Sequence, residues 1–172
     1  MIYVVEMDFR NPAREADWHT WYLAHVTTLI RKVPGFRASQ RFRAITETAS
    51  PWLALHEVEG PHVFESSAYK STGGPASTGE WQHQHTNWRR NLLGGIESSP
   101  NVSPDAHLLM VDDGTKLPDR VAKSVIWYDC VGLDLSSKKR GMGVLQRGEL
   151  TAHHFDIKGL TVLTPISPKI GG

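Results

Sequence analysis

The sequence predicts an α+β protein built on one antiparallel sheet, and three observations support this prediction. Runs rich in β-branched and aromatic residues, or of alternating polarity, occupy 2–9, 36–46 and 51–58. Two longer stretches, 14–33 and 80–93, carry apolar residues at helical spacing. Pro34-Gly35 and Gly94-Gly95 end those stretches, as expected at the C-termini of helices. The elements therefore follow the order β-α-β-β-α, and a further apolar run completes the pattern.

The individual elements fit this order in turn. Strand one covers 2–9, and Tyr3, Val5, Met7 and Phe9 share one of its faces. Helix one follows over 14–33, a short link joins strands two and three, and a short helix is predicted over 62–70. The small, polar segment 71–79 is predicted as a loop. Helix two is predicted over 80–93 and strand four over 107–111.

That order defines a ferredoxin-like β-α-β-β-α-β sheet with two helices on one face. Residues 113–172 contain three further strand-like runs, at 124–135, 143–147 and 160–166. We therefore predict a ferredoxin-like domain over 1–112 and a β-rich C-terminal extension over 113–172, packed on the same domain.

The charge, the cysteine count and the apolar runs of the sequence argue against several classes of protein. The formal charge is +1 over 172 residues, with no long basic run, which argues against nucleic-acid binding and against a membrane surface. Cys130 is the single cysteine, so an internal disulfide is impossible and a reducing compartment is favoured. The first residues lack the pattern of a signal peptide, and no apolar run reaches the length of a membrane span. We predict a cytoplasmic protein.

Each predicted helix carries one histidine within an aromatic and apolar stripe. On helix one the stripe consists of Trp18, Trp21, Tyr22, His25, Leu29 and Val33; on helix two it consists of Trp81, His85, Trp88 and Leu92. A histidine in such a stripe is often only a core residue. Two stripes facing one sheet, however, carry more indole, phenol and imidazole groups than a core readily supplies with hydrogen-bond partners. They therefore favour a pocket for a small organic ligand.

The candidate site residues follow from this pocket. His85 is predicted as the acid–base group, with His25 or Tyr22 as its partner. Its aromatic walls are predicted to be Trp21, Trp81 and Trp88. Arg41 on strand two is a candidate anchor for a carboxylate, since a guanidinium binds carboxylates in a bidentate manner. A salt bridge or a solvated sheet edge explains Arg41 equally well. His56 on strand three is a further candidate for substrate binding.

The pair His83-x-His85 raises the question of a metal site. On a strand both side chains would share a face, whereas on a helix they diverge by roughly 160°. The spacing typical of helical metal ligands is i, i+4. With the segment placed on a helix, we predict no metal and no cofactor.

The stretches WHTWYLAHVTTLIRKVPGFRASQRFRA (18–44) and PWLALHEVEGPHVFESSAY (51–69) resemble the dimeric α+β barrel superfamily. The similarity covers residues 1–112 and is greatest to EthD-like and muconolactone-isomerase-like enzymes of aromatic catabolism. The resemblance implies a homodimer whose two sheets face each other, with a ligand pocket between the sheet and the helices of each subunit. It also implies isomerases, cofactor-free monooxygenases and haem-handling enzymes as functional relatives.

The leading functional hypothesis is a cofactor-independent enzyme that uses acid–base chemistry on a small unsaturated or aromatic-derived organic acid. Isomerisation of a ring-cleavage dienoate or lactone, or a related hydrolysis, is the expected reaction. Two alternatives remain open at this point. One is a cofactor-free monooxygenase acting on a phenolic or polycyclic substrate, and the other is a non-catalytic protein that binds a small ligand.

Overall fold

Strands from the whole length of the chain form one sheet in the computed structural model, which describes residues 1–135, 137–151 and 156–172. Within these residues eight antiparallel strands close into a barrel. They are β1 (Ile2–Phe9), β2 (Phe36–Ala44), β3 (Trp52–Val58), β4 (His85–Leu93), β5 (Ala106–Asp112), β6 (Val125–Leu133), β7 (Lys139–Gln146) and β8 (Leu160–Pro165). Around the barrel their order is β2-β3-β1-β4-β6-β7-β5-β8, and β8 pairs with β2. A two-residue strand, β9 (Ile170–Gly171), also pairs with β2.

The helices lie outside the barrel. The longest, α1 (Glu15–Lys32), follows a 3-10 turn at Pro12–Arg14. Shorter elements are α2 (His62–Glu65), α3 (Ser67–Thr72), α4 (Asp119–Ala122) and the 3-10 segments Pro75–Gln84 and Arg147–Glu149. Among the helices of the described ranges, none has both the length and the apolar character needed to cross a membrane.

Alternation along β1 separates two apolar cores. Tyr3, Val5, Met7 and Phe9 face outward and pack against α1, which contributes buried side chains such as Trp18 and Tyr22. Ile2 and Val4 face inward, into the barrel. The two faces predicted from the sequence of this strand are therefore confirmed.

The predicted ferredoxin-like β-α-β-β-α-β fold is wrong. The second helix, expected over 80–93, does not form, because Pro75–Gln84 is a 3-10 segment and His85–Leu93 is strand β4. The backbone of β4 obtains its hydrogen bonds from β1 on one side and β6 on the other, as a strand within a sheet requires. Residues 113–172 supply β6, β7 and β8, which together with β5 bridge the edges of β4 and β2 and so close the barrel.

The resemblance to the dimeric α+β barrel superfamily is contradicted by the same closure. That arrangement pairs the sheets of two subunits, whereas here all eight strands of the barrel belong to one chain. Closure removes the unpaired strand edges that would otherwise need a partner. A homodimer remains a prediction that this single chain does not test.

Candidate functional site

A small pocket lies between α1 and the outer face of β1, β3 and β4, and we call it the central pocket. The long helix and the strands contribute most of its polar groups, namely Tyr3, Tyr22, His25, His56, His85 and Arg90. Tyr69 of α3 and Thr78 of the Pro75–Gln84 segment close it. Its volume is about 40 Å³, which accommodates a few water molecules. A larger ligand therefore requires the pocket to widen.

Six of the eight site residues predicted from the sequence line this pocket: Trp21, Tyr22, His25, His56, His85 and Trp88. Trp81 lies behind the wall, with its ring centroid 5.9 Å from that of Trp21 and the Arg14 guanidinium 4.4 Å above it. The Arg41 guanidinium packs 4.0 Å from the centre of the Tyr22 ring and lines a different cleft. His85 reaches the pocket from β4 and not from a helix.

A hydrogen bond from Trp18 fixes which nitrogen of His85 carries the proton. Trp18 Nε1 donates to His85 Nε2 over 2.9 Å, and since an indole nitrogen can only donate, Nε2 must be unprotonated. The neutral ring therefore has its proton on Nδ1, which is buried and has no hydrogen-bond partner among the described residues. Burial, with smaller contributions from His25 and Arg41, lowers the pKa of His85 to about 4. His85 is thus a neutral ring with an unused N–H donor.

The other two histidines of the pocket differ in their access to solvent. His56 is 2% exposed, lies between Tyr3 and Phe36, and has an Nδ1 atom without a partner in the described ranges. Burial lowers its pKa to about 3. His25 stacks on Trp21 at a centroid distance of 4.9 Å and stays partly exposed, although burial lowers its pKa as well. Of the three, His25 is best placed to exchange protons with water, because His56 is buried and His85 has one ring nitrogen bonded to Trp18 and the other buried.

Two further groups set the electrostatics of the pocket. Burial raises the pKa of Tyr22 to about 12, so its phenol stays protonated at neutral pH and can donate but not act as a base. Arg90 brings positive charge beside Tyr3 and Tyr69, while its guanidinium pairs with Asp134 over 3.0 Å. The described residues lining the pocket include no carboxylate. No carboxylate on the described lining therefore opposes a negatively charged ligand, while the charge of Arg90 is already balanced by Asp134.

The described segments contain no group of three histidine, cysteine, aspartate or glutamate side chains with the spacing of a metal site. His25, His56 and His85 line one pocket but do not form such a group. His83 is exposed and does not line it. The pair His153-His154, also considered from the sequence, lies outside the described residues.

Sequence reasoning missed four residues of the site: Tyr3, Trp18, Tyr69 and Arg90. Tyr3 shares the outward face of β1 with Val5, so strand alternation alone could have placed it. Trp18 belonged to the predicted stripe of helix one, but its hydrogen bond to a residue 67 positions away has no local signal. Tyr69 and Arg90 depend in the same way on contacts between distant segments.

A comparison of the sequence with protein-family models and with curated proteins finds no match. Function is therefore argued from the central pocket itself.

Proposed function

We propose that the chain is an enzyme that isomerises a small unsaturated or aromatic-derived acid or lactone by proton transfer in the central pocket. The observation that carries this proposal is the fixed tautomer of His85. Its Nε2 accepts from Trp18 and its Nδ1–H is unpaired among the described residues, so the ring can hold a substrate oxygen. A partly exposed neutral histidine, His25, lines the same pocket.

The two histidines take different roles in this reaction. Because Nε2 of His85 is already occupied by the indole N–H, His85 is a poor base and a good hydrogen-bond donor. Among the described residues no hydrogen bond restrains His25 in this way, and it acts as the general base, with a pKa lowered by burial that keeps it unprotonated at neutral pH. The catalytic base proposed from the sequence, His85, is thus replaced by its predicted partner.

The proposed step balances without an oxidant. His25 removes a proton from the carbon beside the substrate carbonyl, and the electron pair of that C–H bond moves into conjugation, placing negative charge on the carbonyl oxygen. The Nδ1–H of His85 hydrogen-bonds to this oxygen and stabilises its negative charge. Protonated His25 then returns the proton to the far end of the conjugated system, which moves the double bond.

Aromatic rings hold the substrate in place. The Trp21 ring lies 4.9 Å from that of His25 and 6.3 Å from that of His85, and the Trp88 ring lies 5.0 Å from that of His85. Flat apolar surfaces next to a few convergent polar groups are typical of pockets for small unsaturated molecules. Substrate binding requires the pocket to widen, because its volume is smaller than that of such a molecule.

The test uses α-angelica lactone, a β,γ-unsaturated lactone whose conversion to the conjugated lactone is followed by ultraviolet absorbance. The wild-type chain is expected to accelerate this conversion, and His25→Gln to lower the rate by ~100-fold or more, because it removes the base. The matched control is His83→Gln, the same substitution at an exposed histidine outside the pocket, which should keep the wild-type rate.

Full activity in a folded His25→Gln variant would contradict the proposal, as would loss of activity in both variants alike. Deuterium uptake into the probe in heavy water reports the proton transfer directly. Consumption of dissolved oxygen during turnover would instead support the monooxygenase alternative.

A further inference from the structure

Arg41 is a buried cation without a counter-charge. Its side chain is 7% exposed, and the described part of the chain places no carboxylate in an ion pair with its guanidinium. The guanidinium packs over two aromatic rings, 4.0 Å from the centre of Tyr22 and 4.9 Å from that of Trp18. Such contacts stabilise a cation only in part, so a buried arginine normally has an anion beside it. Burial accordingly lowers the pKa of Arg41 to about 10.

An open cleft of about 400 Å³ lies beside Arg41, between α1, the start of β3 and the segment after β8, and we call it the Arg41 cleft. Its polar lining includes Arg43, His19 and Ser167. Ser167 Oγ accepts the backbone N–H of Arg41 over 3.1 Å, which leaves the hydroxyl proton for another acceptor. The guanidinium groups of Arg41 and Arg43 and the Ser167 hydroxyl therefore supply this cleft with hydrogen-bond donors.

Apolar side chains form the rest of the cleft. Leu23 is 46% exposed and Ile166 is 38% exposed, although both are large hydrophobic residues. The Trp52 ring, which lies 4.7 Å from the His19 ring and carries the Arg43 guanidinium 5.1 Å above it, completes this wall. Its volume is within the range of pockets for small molecules. The exposed apolar surface suits a ligand with a hydrophobic body.

The charges of the cleft favour a single negative charge on that ligand. Two arginines face it, but so does Glu15, which lies 3.6 Å from His19 Nε2. The formal charges of Arg41, Arg43 and Glu15 sum to +1, which a single negative charge neutralises. The planar guanidinium of Arg41 matches a carboxylate in geometry as well as in charge.

We propose that the Arg41 cleft binds a small carboxylate with an apolar body, at a site separate from the central pocket. The carboxylate pairs with Arg41 and accepts the Ser167 hydroxyl, while the apolar body lies against Leu23, Ile166 and Trp52. This site does not depend on the proposed isomerase activity. The Tyr22 ring lines the central pocket and also packs against the Arg41 guanidinium, so it contacts one group from each site.

The test is isothermal titration calorimetry of the full chain with sodium benzoate. Sodium phosphate serves as the competing anion. Wild type should show saturable binding of benzoate at millimolar concentration, and Arg41→Gln should weaken it by ~10-fold or more, since a charge-assisted contact is lost. Leu23→Glu should abolish binding, because it places a negative charge in the cleft. Leu23→Gln adds no charge and should bind benzoate better than Leu23→Glu. Because Leu23 is exposed, this pair remains informative if Arg41→Gln fails to fold.

The variant His25→Gln separates this site from the central pocket. Benzoate binding should survive that substitution. The proposal is overturned if benzoate does not bind, if Leu23→Glu binds as well as Leu23→Gln, or if His25→Gln removes binding. It is also overturned if phosphate displaces benzoate at equal concentration, which would indicate general anion binding. Activity of the central pocket plays no part in any of these outcomes.

Discussion

At the scale of single residues, the bond between Trp18 and His85 determines what the central pocket can do. An imidazole that accepts from an indole is held in one tautomer and cannot take up a proton without losing that bond. Histidines supported in this way serve as oriented donors, while bases need a free lone pair. The chemistry therefore depends on a contact between α1 and β4 that neither segment reveals alone.

Replacing Trp18 by phenylalanine should raise the pKa of His85 from about 4. The lost hydrogen bond stabilised only the neutral ring, and a bond of this kind contributes ~1 kcal/mol, so the rise should be up to about one pH unit. Burial still keeps the pKa below that of a free histidine. Nuclear magnetic resonance titration of the His85 ring measures the change.

Trp21→Phe is the matched control for that measurement. The Trp21 ring also lies near His85, at 6.3 Å between centroids, but within the described ranges it makes no hydrogen bond to it. This variant should leave the pKa of His85 close to that of wild type. An equal effect of both substitutions would show that general packing, and not the indole N–H, sets the protonation of His85.

At the scale of elements, segment 80–93 shows why the sequence predicted a helix where a strand forms. Trp81, His85, Trp88 and Leu92 recur at helical spacing, yet His85–Leu93 is a strand. Between Glu6 and Asp8 of β1 the register with β4 shifts, and Asn87 adopts a φ of 47°. A bulge at that point inserts one residue, so residues three apart come to share a face. His85 and Trp88 both line the pocket for this reason, and periodicity alone could not separate the two cases.

Other elements were predictable because their signals are local. Helix one, predicted over 14–33, appears as Glu15–Lys32, and strand one has the predicted bounds. The stripe of helix one places Trp21, Tyr22 and His25 at the pocket, as expected. The partner of each strand was not predictable. Pairings such as β4 with β6 join residues about 40 positions apart and depend on the geometry of the closed sheet.

The Pro75–Gln84 segment contains a glycine that its backbone requires. Gly79 has φ 56° and ψ −132°, a conformation that L side chains rarely adopt. Gly79→Ala should therefore reduce the free energy of unfolding by ~1–3 kcal/mol, although an added Cβ would meet nothing within 4 Å. Chemical denaturation followed by tryptophan fluorescence measures the difference.

The control is Gly148→Ala in the Arg147–Glu149 turn. An added Cβ also meets nothing within 4 Å there, but the backbone of Gly148 does not have positive φ. That substitution should leave stability unchanged or slightly increase it. Equal effects at the two positions would exclude a strained kink at Gly79.

At the scale of the whole molecule, two groups of four strands form one barrel. In the first half the strands lie in the order β2-β3-β1-β4, and in the second half β6-β7-β5-β8 repeats this relative order. Tyr22 and the other pocket residues of α1 cover the outside of the first half. In the described residues of the second half, the short α4 covers the outer core through Val121. The pocket therefore occurs on the half that carries a long helix.

A charged cluster inside the barrel connects the two halves. Glu6 of β1 accepts two hydrogen bonds from Arg89 of β4, at 2.8 and 3.0 Å, and two from Arg140 of β7, at 2.8 and 2.9 Å. Arg140 is 1% exposed. Burial opposes ionisation of Glu6, but the two arginines outweigh it and lower the pKa of Glu6 to about 2. Through this cluster, side chains of β1 and β7 form an ion pair between residues that are 134 positions apart in the sequence.

Glu6→Gln should reduce the free energy of unfolding at pH 7 by ~3–5 kcal/mol, because the buried Arg140 then keeps only the half-exposed carboxylate of Asp112, 3.4 Å away, as a counter-charge. Glu59→Gln, which removes a carboxylate from an exposed pair with Arg37, should change stability little.

The pH dependence gives a second check. A carboxylate whose folded pKa is lowered stabilises the fold above its unfolded pKa, and this contribution is lost as the pH falls towards the folded value. The stability difference between wild type and Glu6→Gln should therefore shrink between pH 4.5 and about 2. A difference that stays constant over that range would mean that Glu6 acts through packing and not through its charge.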